Sequence, residues 1–291
     1  MSIIKSNTLR VEINEKGSTL ESFYDTLKDK ELLWQGSEDS WTGKDVTIFP
    51  FVARLKDGYY TADGKDYKMP LHGLCVERDF QIVSQSQSKV EHKFVYGEDT
   101  LESYPYKFDL RIIHEVVGDR YIKTMKVKNL GDCDMYFALG AHPAIALTSK
   151  GDCDTSENYI RFPKTMRPKN YYLNEEGHFI TRKGEFEGFD KLYCDKKLMQ
   201  KYATLILTDE EFESLDVVRG DGVEIAFELN KPPILAFWSH PQNGEYICVE
   251  PWWGIPDFVN PKRNINEKEL INKLAAEEEF EYSFSMQIKK R

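Results

Sequence analysis

Apolar and polar residues alternate with period two from one end of this chain to the other. That pattern restricts the fold more than any other feature, because only strands with one buried face repeat every second residue. In EIAFEL, Ile225, Phe227 and Leu229 alternate with Glu224, Ala226 and Glu228; in FEYSFSMQIK, Phe280, Tyr282, Phe284, Met286 and Ile288 alternate with mostly polar partners. Asp63-Gly64, Gly118-Asp119 and Asp221-Gly222 each separate segments rich in β-branched and aromatic residues, as tight hairpins require. Helical spacing is scarce. The best case is NEKELINKLAAEEEF, where Leu270, Ile271 and Leu274 recur at three- and four-residue steps and predict one short surface helix. No repeat of fixed period and no linker is visible, and the polar stretch Lys150–Glu157 reads as a loop. The expected architecture is all-β: one large antiparallel β-sandwich formed by residues 1–291, with few short helices.

At about 150 residues per domain, 291 residues would allow two units, but all-β sandwiches often exceed 200 residues as one. Lys and Arg total 39 against 49 Asp and Glu, a formal net charge of −10, and no basic block interrupts the acidic background. Such a surface is poorly suited to neutralising phosphates, so neither a nucleic acid nor a membrane is expected as a partner. The opening MSIIKSNTLRVEI lacks the apolar core of a secretory signal. The most apolar run, MYFALGAHPAIAL, is shorter than the roughly 20 residues of a membrane helix. A cytoplasmic protein is the expectation. The five cysteines, Cys75, Cys133, Cys153, Cys194 and Cys248, are odd in number and contain no CxxC pair, so they read as small buried hydrophobes and not as a disulfide or zinc framework.

Three stretches carry residues capable of chemistry. In ICVEPWWGIPD, Glu250 stands between an apolar run and two tryptophans, in a strand expected to end at Pro251 and so to present the carboxylate at a cleft mouth. Partial burial beside indole rings raises a carboxyl pKa and makes it a better base near neutrality. In LGAHPAI, His142 also precedes a proline at a strand end, where it could share a cleft edge with Glu250 and act as acid or base. The stretch FPFVARLKDGYYTADGKDYKMPLHGLCVERDF brings Arg54, His72 and Arg78 around a hairpin with Asp63-Gly64 at its tip; Gly73 after His72 would let the backbone approach a ligand closely. GxSxG, HExxH, GxxxxGK[ST] and a strand-borne GxGxxG are all absent. His72, His142, His240 and Glu250 show no short ligand spacing, so no metal is expected. The 49 acidic residues leave open the paired carboxylates of a glycosidase.

In this order, FPFVARLKDGYYTADGKDYKMPLHG, LGAHPAI and CVEPWWGIPD resemble the aldose 1-epimerase (galactose mutarotase-like) family, and most closely its LacX-like branch. The resemblance implies a β-supersandwich, no cofactor, and interconversion of the α and β anomers of a hexose or similar aldose. It implies Glu250 as general base, His142 as general acid, and Arg54 and His72 as residues that bind the ring or its hydroxyls. Trp252, or its neighbour Trp253, would line the sugar site, and Asp190, in EFEGFDKLY, would match a substrate-binding aspartate. The segment HGLCVERDF departs from the glycine- and asparagine-rich setting of galactose-type members, which leaves the preferred sugar open. Two alternatives remain: an epimerase for a sugar phosphate, with Arg54, Lys56 and Arg78 as cations, and a sugar-binding protein without turnover.

Overall fold

A computed structural model describes residues 1–147, 157–241 and 244–290. Most of the polar stretch read as a loop, and Cys153 with it, therefore lies outside the described residues. The alternating segments form strands as expected and assemble into two large antiparallel sheets. The larger has nine strands, in the order Phe189–Tyr193, Tyr159–Met166, Ser214–Val218, Glu224–Glu228, Glu279–Lys290, Arg120–Asn129, Phe108–Val117, Lys89–Val95 and Gln81–Gln85. In the smaller, Tyr246–Trp253 is a central strand, flanked on one side by Ile234–Trp238 and on the other by the short strands Leu139–Ala141 and Ala144–Ala146. All three turn dipeptides close hairpins: Asp63-Gly64 joins Tyr59–Ala62 to Lys65–Lys68, Gly118-Asp119 joins Phe108–Val117 to Arg120–Asn129, and Asp221-Gly222 joins Ser214–Val218 to Glu224–Glu228.

The two sheets pack face to face around one apolar core that takes Ile112, Met125, Phe227 and Met286 from the larger sheet and Leu205, Leu235, Phe237 and Val249 from the smaller. The smaller sheet is covered on its other face as well. There Ile206, Ile234, Ala236 and Trp252 pack with Ile48, from the sheet's own edge strand Thr47–Ile48, and with Val52 and Ala138. Its central strands are thus buried on both sides, which explains apolar runs such as ILAFW that show no alternation.

The expected helix at NEKELINKLAAEEEF does not form. A 3₁₀ turn at Ile265–Glu267 is followed by Leu270 at φ +55° and a strand, Asn272–Leu274, that pairs with Met135–Phe137. The amide of Asn272 donates to the carbonyls of Phe137 and Trp253 at 2.9 Å each, and Leu274 is buried. Tertiary pairing has overridden a weak local preference. The longer of the two α-helices among the described residues is Lys196–Tyr202, capped by the Asp195 carboxylate, which accepts from the amide of Leu198 at 2.9 Å. Among the described residues no helix is long and apolar enough to cross a membrane. Cys75, Cys194 and Cys248 are buried as expected, whereas Cys133 is exposed, in the turn after Arg120–Asn129.

One charged contact spans the interior. Lys123, on the larger sheet, extends to Asp45 with Nζ 2.8 Å from Oδ2, and both side chains are fully inaccessible. The same carboxylate accepts from the backbone amides of Leu20 and His142. Removing one member of such a pair leaves a buried charge without compensation, so Lys123→Met should destabilise the protein by about 3–5 kcal/mol. Urea denaturation checks this, and the double change Lys123→Met/Asp45→Asn should recover much of the loss.

Candidate active site

The pleat of Tyr246–Trp253 sorts its side chains. Ile247 and Val249 enter the sandwich core, while Cys248, Glu250 and Trp252 point to the other face. Trp253 belongs to the core set, with its ring 5.0 Å from Phe280 and 5.6 Å from Tyr282, so only Trp252 faces the cavity. Against expectation the strand does not end at Pro251 but continues through it to Trp253. The amide of Val249 donates to Pro143 across the sheet, so the proline nitrogen two residues later turns to the same side. There the neighbouring chain leaves strand form at His142-Pro143, and the missing N–H breaks no ladder bond.

The same break sets the histidine. Gly140 pairs with Trp252 and Ala144 with Cys248, an alignment in which His142 falls opposite Glu250. His142 Nε2 lies 3.2 Å from Glu250 Oε2. The contact is close but not aligned as a hydrogen bond: both carboxylate oxygens, His142 Nδ1 and the indole N–H of Trp252 are buried without a partner. The sequence expectation that the two residues share a cleft is met.

They open onto a cavity of about 730 Å³, within the ~300–1,000 Å³ of small-molecule sites. Arg54, His72, Trp41, Trp238 and Trp252 contribute to its walls. The Trp41 ring lies 5.1 Å from the His142 ring, Trp238 lies 5.7 Å from it on another side, and His72 meets it edge-on at 5.5 Å. Arg54 is exposed at the rim and has no carboxylate within ion-pair distance among the described residues, whereas Arg78 pairs with Asp99. A smaller hollow of about 340 Å³ beside Leu55 and Pro256 contains Lys268 and Asp257, which are paired with each other.

Burial dominates the electrostatics. It pushes Glu250 well above the ordinary carboxylate range; the indole N–H of Trp252, near the carboxylate but short of hydrogen-bond geometry, opposes this and the nearby Asp45 carboxylate reinforces it. It lowers His142 to about 4 against the partial support of a backbone hydrogen bond. His72 falls to about 3, first through burial and then through His142 and Arg54. The Ala53 amide donates to His72 Nδ1 at 3.3 Å, which leaves the proton on Nε2 and makes His72 a neutral donor.

One residue expected at the site lies elsewhere. Asp190 is exposed on Phe189–Tyr193, the outer edge strand of the larger sheet, and takes no part in the cavity. The segment EFEGFDKLY is held there by pairing with Tyr159–Met166, away from the smaller sheet that bears His142 and Glu250. Gly73 lines the cavity; its φ is +84° and a Cβ there would lie 2.1 Å from the carbonyl oxygen of Phe49, so packing against that backbone by itself requires a glycine. Trp41, Trp238 and Asp45 were not singled out from sequence. Trp41 and Asp45 lie in an irregular segment with no local pattern, while Trp238 ends a strand beside Glu250, a position that could have drawn notice.

The layered sheets, with an aromatic cavity on the outer face of the smaller one, form a β-supersandwich of the galactose mutarotase type. A family model described as aldose 1-epimerase matches residues 1–287, and the chain belongs to that family. It is 23% identical over 286 residues to the LacX protein of Lactococcus lactis subsp. lactis, covering 93% of each chain. A galactose mutarotase related enzyme from Lactobacillus acidophilus superposes with a TM-score of 0.92 at 23% identity, over 99% of this chain and 97% of that one. A galactose mutarotase-like protein from Lactobacillus casei superposes equally well, 0.92 at 22% identity, over 99% of each.

The lowered basicity of His142 is directly measurable. Its ring resonances, followed by NMR, should remain those of neutral imidazole down to about pH 4; a midpoint at the ordinary 6.5 would mean that water reaches the pair freely.

Proposed function

We propose that this protein interconverts the α and β anomers of a free aldose by proton transfer between Glu250 and His142. The observation that carries the reading is their 3.2 Å approach at the floor of the aromatic cavity, with neither carboxylate oxygen satisfied. Ring opening needs one proton removed from the anomeric hydroxyl and one delivered to the ring oxygen. These two oxygens share a single carbon, so adjacent catalytic groups can serve both.

The pair holds one proton in total. In opening, carboxylate Glu250 takes the hydroxyl proton as imidazolium His142 protonates the ring oxygen, leaving a carboxylic acid and a neutral imidazole. After rotation about the bond between the aldehyde carbon and its neighbour, the acid returns its proton to the aldehyde oxygen. The imidazole then recovers a proton from the attacking hydroxyl, and the ring closes on the opposite face. Burial favours the uncharged form of the pair at rest, so the charged form is reached only with substrate in place. His72 would donate to a sugar hydroxyl, and Trp252 would cover the apolar face of the ring.

A second reading keeps this chemistry but adds a phosphate to the sugar, and it is favoured by Arg54, a cation at the rim without a carboxylate partner. Glu250→Gln should lower the catalysed rate of anomer exchange by ~10²–10⁴-fold with the fold retained, as followed by polarimetry and circular dichroism. Full retained activity would reject the assignment, and sugar binding without any exchange in the unaltered protein would indicate a silent binding protein. Exchange spectroscopy on glucose and glucose 6-phosphate separates the two substrates. A gain of at least ~10-fold with the phosphate, lost in Arg54→Met, would select the second reading; no gain would reject it.

A further inference from the structure

Behind the acid–base pair lies a third group that the reaction does not use. Cys248 is two residues before Glu250 on the same face of Tyr246–Trp253, fully buried and with a free thiol. Donor atoms of His142, Cys248 and Glu250 lie within 4.8 Å of one another. Of His72, His142, His240 and Glu250, which show no short ligand spacing in sequence, only His142 and Glu250 join this cluster, and Cys248 supplies its third donor. We propose that His142, Cys248 and Glu250 form a binding site for a borderline-soft divalent cation, of which zinc is the type, and that such an ion inhibits the protein by occupying its acid–base pair.

Several observations converge on this assignment. Imidazole, thiolate and carboxylate are the three side-chain donors zinc prefers. Zinc holds such ligands at ~2.0–2.3 Å, which sets neighbouring donors roughly 3.5 Å apart in a tetrahedral site, so closing the present cluster needs side-chain adjustments of about 1 Å. Both Glu250 oxygens are buried with no hydrogen-bond partner, and buried polar groups left in that state ordinarily have a ligand to satisfy them. Charge balance also fits. One thiolate and one carboxylate neutralise a dication, so the filled site carries no net charge into the apolar surroundings formed by Ala144, Tyr246 and the rings of Trp34, Trp41 and Trp238. The thiol proton, and the carboxyl proton when present, leave to solvent. Hard cations such as magnesium prefer all-oxygen sets and should not compete.

The inhibition arm rests on the epimerase reading, but zinc affinity does not. Both are therefore measured, the affinity by competition with a chromophoric chelator and the inhibition by anomer exchange, on the full chain and on Cys248→Ser and Cys248→Ala. The expected result is a single zinc bound tightly by the unaltered protein, exchange suppressed by zinc and restored by chelator, and no effect of magnesium. Both variants should bind zinc at least ~10-fold more weakly while keeping their exchange rate in metal-free buffer within about 2-fold. Glu250→Gln should likewise weaken zinc binding, an outcome read without turnover. Cobalt offers a spectroscopic check, since its thiolate charge-transfer band should appear in the unaltered protein and vanish in Cys248→Ser. Zinc affinity unchanged in both cysteine variants, or no zinc bound by the unaltered protein, would overturn the proposal.

Discussion

The site depends on one constraint, the two-sidedness of the strand Tyr246–Trp253. Because successive side chains leave a strand on opposite faces, the same eight residues fill the sandwich core with Ile247 and Val249 and present Cys248, Glu250 and Trp252 to the cavity. A buried carboxylate with no hydrogen-bond partner is unfavourable wherever it stands. Here it is held in place by a central strand whose position is fixed by apolar contacts on its other face. Ala236, the cross-strand neighbour of Glu250, is small and leaves room above the carboxylate.

A second constraint is the bridge between the sheets. Asp45 binds Lys123 of the larger sheet through one oxygen and the backbone amide of His142 through the other. The histidine, which sits at a break between two short strands and lacks the support of a continuous ladder, is thereby tied to the centre of the opposite sheet. Positioning matters because a displacement of about 1 Å can cost 100-fold in rate. The geometry of the pair thus derives from long-range contacts: register on one side of the histidine, a buried ion pair on the other.

Enclosure by tryptophans and shared burial have a common electrostatic effect. Both members of the pair are shifted toward their uncharged forms, Glu250 upward and His142 down to about 4, so the resting site carries a proton but little net charge. Such a site suits the uncharged sugar ring of the proposed reaction, and the cation at its edge, Arg54, stays in contact with solvent. The proposed reaction makes a small conformational demand, two oxygens on one carbon, and suits a site built on strands and not on mobile loops.

Much of the architecture was legible because a strand's period and a hairpin's turn residues are local properties: EIAFEL, FEYSFSMQIK and the three glycine turns formed as expected. Local signals misled where distant partners decided the outcome, as at NEKELINKLAAEEEF, where Asn272 is claimed by two carbonyls from other segments. Asp190 looked suitable by motif alone, but its strand pairs at the far edge of the other sheet. By itself, the sequence determined the all-β class and the candidate acid–base residues, since alternation, prolines and residue chemistry are written along the chain. Only the tertiary structure decided that His142 stands opposite Glu250, that Cys248 lies behind them and that Trp41 closes the wall, because sheet register and burial are set by contacts between residues far apart in sequence.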